Sequence, residues 1–185
     1  MDKHVVMPVG VIVQKRRIDH PWKEWTWEPV GVLPWAPEGI SWQVLVEDAG
    51  RVQYHAATLP LELFRADTEA YVDNLNSSAP AIYVVVRPGD EENDEADIVP
   101  CLVTVSPYEA QDYLDSGEEI VERLGLPDIL REWMEAFVAE HHEEEAFIKR
   151  KRDRVRVDRT EDGKGDPRVR QLSDVYRAPT SRKIH

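Results

Sequence analysis

The residues best equipped for chemistry in this 185-residue chain are few and scattered. His141-His142-Glu143-Glu144-Glu145 offers imidazoles and carboxylates, the donors that zinc and similar ions take. Adjacent residues of a helix point about 100° apart, so the two imidazoles diverge, while the i, i+4 spacing from His141 reaches Glu145. The stretch reads as a solvated, fraying helix end. Cys101 is the only cysteine, which rules out an intrachain disulfide. It lies in the apolar run Ile98–Val105 and reads as a small buried hydrophobe, not as an activated thiol. The acidic run PGDEENDEAD between Arg87 and Ile98 reads as a solvated hairpin tip, with a metal loop as the alternative. Gly163-Lys164-Gly165 lacks both the preceding glycine and the Ser or Thr of a phosphate-binding loop. No nucleophile is paired with a base in any familiar spacing. The reading is a non-catalytic protein with no metal and no cofactor.

Binding chemistry is better represented. Five of the six tryptophans, Trp22, Trp25, Trp27, Trp35 and Trp42, fall within 21 residues. A core absorbs two or three of them. Trp22 follows Pro21, and Trp35 stands between Pro34 and Ala36-Pro37, so both lie in apparent loops where aromatics serve as interface anchors. Trp22, Trp25 and Trp35 are therefore candidate partner contacts. So is the basic run Lys149, Arg150, Lys151, Arg152 and Arg154. Net charge is −13, but residues 145–185 hold 13 Lys+Arg against 7 Asp+Glu, a net of +6, which leaves −19 on residues 1–144. Such segregation gives body and tail different partners. The acidic body and the absence of aromatics within the basic run disfavour nucleic acid, so the tail suits an acidic protein surface. Arg154-Val-Arg-Val-Asp-Arg159 alternates in a way that suits a strand on a partner's sheet edge.

Several elements must position these groups. Val5–Val13 reads as a strand near a sheet edge, because Pro8 and Gly10 interrupt it, with Lys15-Arg16-Arg17 as a basic turn. Trp25 and Trp27 alternate with polar residues at strand period, and Trp42–Glu47 and Arg51–Thr58 form a hairpin across Asp48-Ala49-Gly50. Asp67 suits the cap of a helix through Leu75. Ala81–Arg87 and Ile98–Val105 are apolar enough for central strands. Ser106-Pro107-Tyr108-Glu109 starts a helix that Gly117 ends, and a short strand follows at Ile120-Val121. Pro127 opens a longer helix whose Ile129, Leu130, Trp133, Met134, Phe137 and Val138 form one apolar stripe. The expected fold is α+β: a mainly antiparallel sheet of about six strands with two or three helices on one face. It spans residues 1–147, and residues 148–185 form an extended basic tail too poor in large apolar residues to order alone. The N-terminus lacks a signal-peptide pattern and no run approaches the roughly 18 apolar residues of a membrane span, so a cytoplasmic location is expected.

The run Ser106-Pro-Tyr-Glu-Ala-Gln-Asp-Tyr-Leu-Asp-Ser-Gly-Glu-Glu-Ile-Val121, with Asp19-His20-Pro21-Trp22 and Phe147-Ile-Lys-Arg-Lys-Arg-Asp153, resembles a bacterial family of unknown function. Its members are often encoded beside molybdenum-dependent formate dehydrogenase genes and maturation chaperones. The resemblance covers roughly residues 5–154. Some members carry the label molybdopterin-guanine dinucleotide biosynthesis protein A. That nucleotidyltransferase opens on a glycine-rich loop of the LAGGxSxRMGxxK kind, whereas Met7-Pro-Val-Gly-Val-Ile-Val13 here offers nothing to cradle a triphosphate. The resemblance thus implies an accessory or assembly protein, or a small subunit, whose partner is a formate dehydrogenase subunit or its chaperone. Two alternatives remain: a molybdopterin-nucleotide enzyme holding phosphates with Arg16, Arg17 and Arg87, and a nucleic-acid-binding regulator acting through the tail.

Overall fold

The computed structural model describes residues 4–92 and 96–143. In order these form β1 (His4–Arg17), β2 (Trp25–Pro34), β3 (Ser41–Asp48), β4 (Arg51–Phe64), a 3-10 turn at Arg65–Asp67 and α1 (Thr68–Asn76). Then come β5 (Ala81–Pro88), β6 (Ile98–Thr104), α2 (Pro107–Ser116), β7 (Ile120–Gly125) and α3 (Asp128–His141). The fold is α+β and its strands pair antiparallel, divided between a four-stranded sheet, β2-β1-β4-β3, and a three-stranded sheet, β6-β5-β7. No helix among the described residues is long and apolar enough to cross a membrane.

β1 lies inside its sheet, not near an edge, and it carries Lys15, Arg16 and Arg17 as strand residues, not as a turn. Its proline is accommodated by register. Pro8 stands directly opposite Pro60 of β4. Neither has an N–H, so the pair fits the ladder only with both nitrogens turned away from each other. On the far side of Pro8 the β1–β2 pairing has ended at Val9↔Pro34, and on the far side of Pro60 the β3–β4 pairing reaches only Ala57. Both missing donors therefore face no ladder. The Pro8 carbonyl, facing the same way, accepts the Ala36 N–H at 3.2 Å.

Met7, Val9, Val11 and Val13 alternate along β1 and are fully buried, as are Leu61 and Leu63 of β4. They form one core with Ile82, Val84 and Val86 of β5, Val103 of β6, Tyr71 of α1, and Leu130, Met134 and Phe137 of α3. Each such side chain contributes roughly 1.5–3 kcal/mol by leaving water. α3 buries Leu130, Met134 and Phe137, but Ile129 falls off the stripe and is 55% exposed. β6 is an edge of the small sheet and only β5 is central.

Local signals explain the helix ends. The Ser106 hydroxyl accepts the Glu109 N–H at 3.2 Å, Pro107 occupies the first turn, and Gly117 closes α2 at φ 69°. Asp67 occupies the N-cap of α1 but makes no side-chain capping bond. Instead α1 is fixed by buried Asn74. Its amide donates to the Ala81 and Val105 carbonyls, both at 2.7 Å, and its oxygen accepts the Ala81 N–H at 2.9 Å.

Candidate binding surface

Three tryptophans, Trp25, Trp27 and Trp42, gather on the four-stranded sheet. Trp25 and Trp27 are two residues apart on β2 and so share a face, opposite Arg17 and Lys15 of β1. The Lys15 ammonium lies over both indoles, 4.8 Å from Trp25 and 5.0 Å from Trp27. Such cation–π contacts contribute about 0.5–1 kcal/mol each at exposed sites. Trp27 stacks on Tyr54 of β4 at 5.9 Å and meets Trp42 of β3 edge to face at 5.8 Å. Trp42 completes the triangle with Tyr54 at 5.7 Å. Its backbone stands at φ 49°, a left-handed conformation that strains a bulky residue. All four rings are half-buried. Trp27 and Trp42 pack against the core, and Trp25 lies beside them toward the β1–β2 connection.

That connection carries Trp22, which is 90% exposed. His20 Nδ1 accepts the Trp22 N–H at 3.3 Å, and the Ile18 N–H donates to Glu24 at 2.9 Å, so the turn is internally tied. Residues 17–24, with Ala49 and Gly50, line an open depression of about 740 Å³. Its cations are answered: Arg17 by Glu24 at 3.4 Å and Lys23 by Asp97 at 3.6 Å.

Trp35 stands elsewhere. It follows the far end of β2, ten residues along from Trp25 and hence about 33 Å away at strand rise. It is 60% exposed at φ 57°. A strained residue persists only where its surroundings hold it. The holding groups are identifiable. Ala36 is buried and bonded to Pro8, and the Pro37 carbonyl accepts the Thr58 hydroxyl at 2.7 Å. Because that hydroxyl spends its only proton on Pro37, buried His55 must donate from Nε2 to Thr58 Oγ1 across 2.9 Å. Gly10 leaves room for the ring, since a Cβ there would come within 2.5 Å of His55 Nε2. Sequence reading missed this Gly10–His55–Thr58 chain, whose members are brought together only by the β1–β4 register.

The other candidates separate. Cys101 is exposed on edge strand β6, not buried. Its thiol donates to the Val85 carbonyl at 3.2 Å, and partial burial, then Glu119, pushes its pKa up, away from nucleophilic use. His141 and His142 are not a solvated end. The His141 ring packs on Phe137 at 4.5 Å, while His142 shares a hydrogen bond with Thr68 at 3.2 Å. Among the described residues no three His, Cys, Asp or Glu side chains converge on a metal-sized site. Arg16 and Arg17 are successive strand residues on opposite faces, paired with Glu28 and Glu24. Arg87 donates to the Pro88 carbonyl on the other sheet. The acidic run joins β5 and β6, an antiparallel hairpin, with residues 93–95 outside the described residues. Lys149, Arg150, Lys151, Arg152 and Arg154 also lie outside them.

One family matches residues 8–152, from within β1 to beyond α3, and so takes in the aromatic strands, the Ser106 cap and part of the basic run. The chain belongs to that family, described as "Protein of unknown function (DUF3305)". No curated protein and no solved structure matches the chain. What this DUF3305 chain displays most openly is aromatic surface on fixed backbone.

Proposed function

We propose that the chain is a non-catalytic accessory or assembly protein that binds another protein through the Trp22–Trp25 end of its four-stranded sheet. The observation that carries this is Trp22, a large apolar side chain 90% exposed on an internally bonded turn, beside the half-buried Trp25. An aromatic held ready in water loses little conformational entropy when a partner covers it, which is how interface anchors work. The family resemblance supports a formate dehydrogenase subunit or its maturation chaperone as that partner. The basic run at Lys149–Arg154 would add charge steering. Trp35, beyond the opposite end of β2 from Trp25, serves a second contact or a broad one.

The test is affinity capture from a bacterium expressing the chain, with the wild type, Trp22→Ala and a deletion of residues 149–185 compared. Formate dehydrogenase subunits or their chaperones should co-elute with the wild type and be reduced by both changes. Undiminished capture by both variants removes the assigned contacts. If the chain elutes alone yet binds a molybdopterin nucleotide, the cofactor-handling alternative replaces this reading.

A further inference from the structure

The four-stranded sheet ends on β3, whose outer side faces no strand among the described residues. A free edge is a row of unpaired N–H and C=O groups, and proteins usually blunt it. The other edges here are blunted. β2 carries Pro29 and Pro34, β6 carries Pro100, and β7 is six residues long with Glu122 and Arg123. β3, SWQVLVED, has no proline, lysine or arginine. Its centre is apolar and open: Val44, Leu45 and Val46 are 51, 43 and 39% exposed. The register break between Val44 and Val46 bends the strand without covering them. Among the described residues no turn or loop backbone bond reaches Ser41–Asp48.

Register sets the chemistry of this edge. Val44 and Glu47 stand beside Tyr54 and Val52, and Val46 and Asp48 beside Gln53 and Arg51. Arg51 answers Asp48, while Glu47 has no ion-pair partner among the described residues. The surrounding residues 1–144 carry a net −19.

We infer that β3 accepts an extended segment of a partner protein in which basic and apolar side chains alternate, adding a fifth strand to the sheet. The backbone ladder supplies attachment, Val44–Val46 take the apolar side chains, and Glu47 takes a cation. The β3 edge of a second copy fits less well there, since it brings no cation to Glu47 and its acidic surroundings oppose the first. The inference does not depend on Trp22, Trp25 or Trp35, so failure of the reading above leaves it standing.

The probe is a blocked peptide of alternating Arg and Val, titrated against the full chain by calorimetry. Saturable one-to-one binding is expected, weakened about five- to tenfold by Glu47→Lys through one lost ion pair and one repulsion. Glu47→Gln should fall between. Glu62→Lys makes the same charge change beyond the segment of β4 that pairs with β3, and should stay within about twofold of the parent. A peptide with proline at its centre should not bind. Equal binding of that peptide, or equal loss in Glu62→Lys and Glu47→Lys, would show attraction to the acidic surface alone and overturn the inference. So would sedimentation as a dimer that Leu45→Lys dissociates, because the occupant of the edge would then be a second copy.

Discussion

Replacing Gly10 by alanine puts the tertiary argument at greatest risk. Alanine is ordinarily the better strand residue by about 0.5–1 kcal/mol, since glycine loses more backbone entropy on folding. Here the added Cβ would lie 2.5 Å from His55 Nε2 and 3.0 Å from the Ala36 Cβ, and His55 is only 3% exposed. The ring has to move by about an ångström, against the overpacking cost of about 1–3 kcal/mol for a packed interior. Moving it breaks the 2.9 Å bond to Thr58 and loosens the 2.7 Å bond to Pro37, worth about 1 kcal/mol each. The expected net loss is about 2–4 kcal/mol in urea unfolding followed by tryptophan fluorescence. In a His55→Ala background the ring is gone and the same substitution should cost under about 1 kcal/mol, a coupling of roughly 1–3 kcal/mol. Equal costs in both backgrounds, or stabilisation by Gly10→Ala alone, would refute the proposed chain from Gly10 to the Trp35 loop.

Asn74→Ala removes three buried bonds and leaves the Ala81 and Val105 backbone groups without their partners, so a loss of about 3 kcal/mol or more is expected in the same unfolding assay. Burial, offset in part by the bond from the Phe64 N–H, pushes the Tyr71 phenol up to about 12 from an ordinary 10.0. The unfolded chain then releases this proton first, so stability is intact below pH 10 and falls by about 2–3 kcal/mol as pH rises to about 12. Tyr71→Phe should flatten that alkaline decline, and an unchanged slope would show that other groups cause it. Ser106→Ala should cost about 1 kcal/mol and fray α2 from its first turn, seen as faster amide exchange at Glu109.

Parts of this fold are legible in the sequence because they are local. The Ser106 cap, the Gly117 stop, the Gly50 hairpin at φ 85° and the alternation of Met7 to Val13 each involve residues a few positions apart. Their geometry follows from single-residue preferences. Proline misled at Pro8, because its cost depends on which side of the strand is paired, and that is settled by where β2 and β3 end. Asp67 misled because a capping residue can stand at the right position while its bond is replaced by packing elsewhere.

The candidate surface divides in the same way. Trp22 in a turn and Trp25 on a strand follow from Pro21 and the period of two. That Trp35 stands at the opposite end of β2, that Trp42 closes on Trp27 and Tyr54 at positive φ, and that Cys101 faces water were decided by pairing across the sheets. So was the open edge at β3: its residues look like any half-buried strand until the order of the described strands leaves one side without a neighbour among them. Sequence determined which segments could be strands and helices, through local backbone and hydrophobic preferences. Only the long-range register decided which face, edge and end each side chain occupies, because a strand's preferences are the same whether or not a neighbour arrives.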